Sequence, residues 1–154
     1  MGFILTPTQQ VSASSVPQTT FRRVMPAEYW HDVSQCESEG NWQDGGYYAG
    51  GLGIARSTWV GYGGREFART PDKATPDEQM IVARRISVTG YQTRDQYRTL
   101  DDYLAKRPYF RPPVGFFGWG CIKNNEYLHP WNWWRKHAHE YRRKKVPAPT
   151  VLPG

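Results

Sequence analysis

The sequence predicts a mainly α (α+β) fold: a small helical domain with a short β-ribbon, flanked by an extended N-terminal arm and a basic C-terminal helix. Three observations carry this. Apolar residues recur at helical spacing in stretches that begin near Met25, Thr75 and Pro130. Between the first two lies QDGGYYAGGLGI (43–54), whose glycines and turn residues suit a two- or three-stranded ribbon or a loop. Residues 1–24 are rich in Ser, Thr, Gln and Pro without sustained periodicity, and residues 122–154 are basic.

Taken in order, residues 1–24 read as the extended arm. A helix follows from Met25 to about Glu39, with Pro26 tolerated in its first turn. Tyr29, Val33 and Cys36 form its expected buried stripe, and Gly40 ends it by taking a positive φ. Asp44-Gly45 is a hairpin signal within the glycine-rich stretch. A short helix is expected from Ser57, as cap, through Trp59 to Tyr62. The clearest helix runs from Thr75 to Thr89. There Thr75 and Glu78 make a capping box, Pro76 occupies the first position, and Met80, Ala83 and Ile86 share a face that Gly90 closes. Residues 91–118 break the pattern. Thr99 with Asp102 caps a short helix through Lys106, and RPYFRPPVGFFG then reads as a loop within an insertion that returns the chain to Cys121. A last helix after Pro130 places Trp131, Trp134, Ala138 and Tyr141 on one face and Arg135, Lys136, Arg142 and Arg143 on the other. The organisation is therefore residues 1–24, a central domain at 25–121 with its insertion at about 91–118, and a basic, Trp-rich segment with a Pro-rich tail at 122–154.

Composition narrows the function. Hydrophobic residues make up 38% of the 154 and aromatics 15%, with seven Trp and ten Tyr, so the core leans on large rings. The net charge of +6 splits as +2 over residues 1–25, −1 over 26–121 and +5 over 122–154. The run RKHAHEYRRKK, with Trp131, Trp133 and Trp134 beside it, suits anionic wall polymers or another protein; nucleic acid binding is a further option and not the favoured one. A solvated basic helix face explains it equally well. No stretch has the ~18 apolar residues of a membrane span. MGFILTPTQQ lacks the basic start and the apolar run of a secretory signal. Two cysteines, Cys36 and Cys121, cannot supply the paired spacing of a zinc site, and leave a disulfide or two unpaired thiols. His31, His129, His137 and His139 do not converge on a metal, and no phosphate loop or Ser/His/Asp set is present. Neither a metal nor a cofactor is expected.

The chemistry-bearing stretch is SQCESEGNW (34–42). Glu37 and Glu39 are two positions apart, so a helix running through both points them in different directions. Glu37 follows the stripe residue Cys36 and falls at the edge of the buried face, where partial desolvation favours the protonated form a general acid needs. Glu39 falls at the helix end, toward solvent. Asp44 is the nearest further carboxylate, either a second acid or an ordinary turn-forming Asp before glycine.

Four stretches in one order sharpen this: Cys36-Glu37-Ser38-Glu39-Gly40-Asn41-Trp42, Gly45-Gly46-Tyr47-Tyr48-Ala49-Gly50-Gly51-Leu52, Ser57-Thr58-Trp59, and Gly63-Gly64 on to Glu78-Gln79. Together with Gly118-Trp119-Gly120-Cys121 they resemble the catalytic domain of the resuscitation-promoting factors, peptidoglycan hydrolases of the lysozyme-like transglycosylase superfamily. The resemblance covers about Tyr29 to Gly90 and implies a small lysozyme-like fold with one catalytic glutamate, Glu37. It also implies a Cys36–Cys121 disulfide that pins the glutamate's helix. Trp42, Tyr47, Tyr48 and Trp59 are the rings expected along a sugar cleft, with core packing as the alternative, and Thr58 is expected to bond a sugar hydroxyl or acetamido group. Gln79 reads as a helix-face residue, with a ligand role as the alternative. Three departures stand out: Glu39 where a glycine is usual, Gly53-Ile54 where Gln-Phe is usual, and the long 91–118 segment.

The activity implied is cleavage of the β-1,4 bond between N-acetylmuramic acid and N-acetylglucosamine, by a muramidase or a lytic transglycosylase. With no export signal read from the sequence, the expected setting is a bacteriophage virion: a tail component, made in the host cytoplasm, that opens an actinobacterial wall during infection and contacts other virion proteins through both termini. The alternatives are an endolysin acting at lysis and a catalytically silent lysozyme-like wall-binding or tail protein.

Overall fold

A computed structural model describes residues 23–93 and 96–143. Nearly all of the expected N-terminal arm, and the tail beyond residue 143, lie outside the described residues. What is described is mainly helical, with two short antiparallel sheets of two strands each.

Helix α1 (Ala27–Ser38) starts behind Pro26 and buries Tyr29, Trp30, Val33 and Ser34. This corrects the expected stripe. At about 100° per residue, Trp30 and Ser34 lie about 100° and 140° from Tyr29, so the buried arc is centred well away from Cys36, at about −20°. Cys36 is exposed, and Glu37, at about 80°, lies inside the arc and is half-buried. The sequence has the two neighbours the wrong way round because a stripe drawn through three residues leaves its centre undetermined.

The helix ends on two left-handed residues, Glu39 (φ 53°) and Gly40 (φ 77°), with the Gly40 N–H donating to the Ser34 carbonyl at 3.1 Å. A side chain in this region meets its own backbone, at a cost of about 1–2 kcal/mol relative to glycine's freedom. Glu39→Gly is therefore expected to raise stability by about 1 kcal/mol, read as a higher urea midpoint with an unchanged slope. A lower midpoint would mean that the Glu39 side chain contributes something the backbone does not show.

Strands β1 (Tyr48–Ala49) and β2 (Ile54–Ala55) pair Tyr48 with Ala55 and Ala49 with Ile54. The hairpin turns through residues 50–53, not at Asp44-Gly45 as expected, because Gly50 (φ 75°) and Gly53 (φ 54°) supply the left-handed positions. Helix α2 (Arg56–Gly61) begins after Ala55 with no side-chain cap, so Ser57 is inside the helix and does not cap it. Helix α3 (Pro76–Arg84) has the expected reciprocal box: the Glu78 N–H donates to Thr75 Oγ1 at 3.3 Å and the Thr75 N–H to Glu78 Oε2 at 2.8 Å. Its continuation, Arg85–Thr89, widens to a π-helical turn that Gly90 closes at φ 69°.

The 91–118 segment is more ordered than its composition suggests. Strand β3 (Tyr91–Gln92) pairs with β4 (Phe110–Arg111) around the short helix α4 (Leu100–Leu104), which Thr99 caps. Two-residue strands are too short to display alternation, so the sequence shows only a loop. Helix α5 (Gly120–Asn124), which carries Cys121, was likewise not anticipated.

The core is a cluster of rings. Tyr29 meets Trp30, Phe116 and Trp133 edge-on at 5.1, 6.0 and 5.5 Å, and Trp30 reaches Trp119 at 5.2 Å. Trp133 comes from helix α6 (Pro130–Arg143), and its indole N–H donates to Asp32 Oδ2 of α1 at 2.7 Å. The expected α6 stripe is thus displaced: Trp131 is 51% exposed, whereas Trp133 is 1% exposed. His137, expected at the surface, is half-buried and stacks on Trp133 with ring centres 4.0 Å apart.

Candidate active site

Glu37 sits in the last turn of α1, where the helix meets α5. Its Oε1 accepts the Cys121 backbone N–H at 2.9 Å. The disulfide between Cys36 and Cys121 joins the donor residue of that bond to the neighbour of its acceptor, with Cα atoms 6.0 Å apart. Glu37 is therefore held twice from α5, once through its neighbour's sulfur and once through its own carboxyl. Its second oxygen, Oε2, faces Gly53, where a Cβ atom would stand 3.7 Å away.

That oxygen opens on a cleft of about 490 Å³ lined by Glu37, Asp44, Tyr48, Gly50, Gly53, Gly118, Trp119 and Gly120. Four of the eight are glycines, and at Gly118 and Gly120 an added Cβ would meet nothing within 4 Å. Tyr48, 66% exposed, offers a ring, and Tyr47 braces it edge-on at 4.9 Å. The remaining sequence-expected contacts lie elsewhere. Trp59 is fully buried and donates its indole N–H to the Ala68 carbonyl at 2.9 Å, so it supports the fold and presents no face to a ligand. Trp42 is half-buried against the glycine turn: a Cβ at Gly51 would stand 2.6 Å from its ring. Thr58, half-buried in α2, is not among the cleft-lining residues.

Three residues that position the cleft escaped the sequence reading. Trp119 lines it while donating its indole N–H to the Leu52 carbonyl at 2.8 Å, tying the two walls together. Ser38 Oγ donates to the Gly51 carbonyl at 2.9 Å. Gln79 is buried, not on an open helix face: its Oε1 accepts the Gly51 N–H at 2.9 Å, and its Nε2 donates to the Trp42 and Ala74 carbonyls at 2.8 and 3.1 Å. The spacing of a helix does not reveal which polar side chain the loops wrap around. Gln79→Leu leaves three backbone groups without this partner and is expected to cost about 2–4 kcal/mol, measured by chemical denaturation. A loss below about 0.5 kcal/mol would show that the turn finds other partners.

The arrangement is a carboxyl group at a helix end, facing an open groove with a ring beside it. Residues 24–93 match the family model of the transglycosylase-like domain. The chain carries a transglycosylase-like domain of the resuscitation-promoting-factor family. It is 47% identical over 62 residues to resuscitation-promoting factor Rpf1 of Corynebacterium glutamicum, covering 39% of this chain and 32% of that protein. With RpfA of Mycobacterium tuberculosis it shares 42% over 62 residues, 39% of this chain and 15% of the relative. With RpfC of the same species it shares 36% over 78 residues, 49% of this chain and 54% of the relative. The chain thus spans from about a seventh to about half of the length of these relatives. The family match takes in Glu37 and the glycine turn and stops before the wall at 118–120.

Proposed function

We propose that this domain cleaves the glycan strands of peptidoglycan at the β-1,4 bond between N-acetylmuramic acid and N-acetylglucosamine, with Glu37 as the general acid. The observation that carries this is the division of labour within one carboxyl group. Oε1 is fixed by the Cys121 N–H, and Oε2 faces a cleft wide enough for sugar rings. The proton carried by Oε2 passes to the glycosidic oxygen as that bond breaks and the sugar takes on oxocarbenium character. Attack on the anomeric carbon by water, as in a muramidase, or by the sugar's own 6-hydroxyl, as in a lytic transglycosylase that leaves a 1,6-anhydro end, completes the cleavage. Tyr48 supplies a face on which axial C–H groups pack, and Tyr47 holds that ring in place.

Digestion of mycobacterial-type peptidoglycan, followed by mass spectrometry of the soluble muropeptides, tests this. Release by the wild-type protein and none by the Glu37→Gln variant supports it. Equal and negligible release by both overturns it.

The setting belongs to the same proposal: a virion tail component acting on an actinobacterial wall. It is supported by the placement of positive charge, +2 and +5, on the two flanks of a near-neutral domain, which separates attachment from chemistry. Immunodetection in purified particles supports that placement, whereas detection in the lysate alone assigns the enzyme to host lysis. No helix among the described residues is long and apolar enough to cross a membrane.

A further inference from the structure

We infer that Asp44 is the second catalytic carboxylate of this cleft and acts as the base that activates water, so that the enzyme hydrolyses its substrate. This rests on the glycan-cleaving reading above.

An Asp before a glycine ordinarily uses its side chain to build the turn. Here the backbone of Asp44 does that work alone: its N–H donates to the Asn41 carbonyl at 3.2 Å, and its carbonyl accepts the Gly50 N–H at 2.7 Å. The local side-chain turn is supplied by Asn41, whose Oδ1 accepts the Gln43 N–H at 3.2 Å. Among the described residues the Asp44 carboxylate has no hydrogen bond or ion pair, yet it lines the same cleft as Glu37. Among the described residues no Lys, Arg or His lines that cleft, and the charged groups that do are both carboxylates. An unpaired carboxylate without a cation beside it is available as a proton acceptor, and its charge favours a substrate carbon that becomes positive. Glu37 and Asp44 line one cleft of about 490 Å³, and two carboxyl groups set far enough apart to admit a water are the arrangement of an inverting glycosidase. At Gly118 and Gly120, on the lining of that cleft, an added Cβ would meet nothing within 4 Å.

The step balances with one water. The water oxygen bonds to the anomeric carbon while Asp44 takes a water proton. The bond from that carbon to the glycosidic oxygen breaks, and Glu37 gives its proton to the departing oxygen. Asp44 ends protonated and Glu37 ionised, and solvent exchange returns the proton.

The experiment is digestion in ¹⁸O-labelled water by the wild type, Asp44→Asn and Glu37→Gln, resolving reducing-end from anhydro products. Thermal melts of all three run alongside. Asp44→Asn keeps the backbone turn and is expected to melt as the wild type does. Its ¹⁸O-labelled reducing-end product should fall about a hundredfold or more, leaving a residue enriched in anhydro ends. Wild-type product formed first in the α configuration also supports the assignment. Wild-type rate and product ratio in Asp44→Asn overturn it, as does a wild type that yields only anhydro ends, although glycan cleavage then still stands. A wild type that releases nothing overturns both readings.

Discussion

Glu37→Gln is expected to lower the rate of glycan cleavage by about a hundredfold to ten-thousandfold, the range that a positioned general acid contributes. The geometry makes this variant a clean test. An amide oxygen still accepts the Cys121 N–H that Oε1 accepts at 2.9 Å, so the link between α1 and α5 survives. What disappears is the proton at the position of Oε2. The variant should therefore fold and bind glycan as the wild type does, with the loss confined to the turnover rate. Glu37→Ala removes the acceptor as well and is expected to lose stability in addition to rate. If Glu37→Gln turns over within a factor of about three of the wild type, the acid lies elsewhere in the cleft.

Replacing Cys36 and Cys121 together with serine is expected to cost about 4–5 kcal/mol. The bridge closes a separation of 85 residues, and the chain-entropy model gives that figure for a loop of this size. Cys36 is exposed and Cys121 half-buried, so serine opens no large cavity and the measured loss reports the cross-link itself. Urea melts of the wild type with and without reductant, beside the double variant, provide the measurement. Reductant should bring the wild type to the variant's midpoint and leave the variant unmoved. Activity should fall further than the folded fraction does, because the Cys121 N–H that orients Glu37 loses its covalent tether. A variant as stable as the wild type would show that the packing of α5 on α1 does not depend on the bridge.

Much of this molecule can be read along the chain wherever the determinant is local. The Thr75–Glu78 box involves residues three apart, and both of its hydrogen bonds form. The separation of Glu37 from Glu39 follows from the turn of one helix, with Glu37 half-buried and Glu39 exposed. The ordered motifs around Cys36 and Gly50 point to the family whose model matches residues 24–93. Local reasoning failed where two signals competed. Asp44-Gly45 and Gly50 to Gly53 are both turn formers, and only the pairing of Tyr48 with Ala55 shows which one makes the hairpin. Trp131, Trp133 and Trp134 are equally apolar, and only the tertiary contacts, with Trp133 against Tyr29 and its indole N–H on Asp32, show which one is buried.

The sequence by itself determined the helical class, the capping of α3, the charge of the ends and the separation of Glu37, the proposed acid, from Glu39. Each depends on residues within a few positions of one another, or on composition. The tertiary structure alone decided what surrounds that acid. It put Gln79 under the glycine turn, Trp119 across from Leu52, the Cys121 N–H on Glu37 and the unpaired Asp44 in the same cleft. Trp59, a plausible sugar platform by type, became core because α2 turns its indole toward the Ala68 carbonyl. The reason is physical. Hydrogen bonds between residues 28, 67 and 84 positions apart leave no periodic trace in the chain, and they form only once burial has brought those segments together.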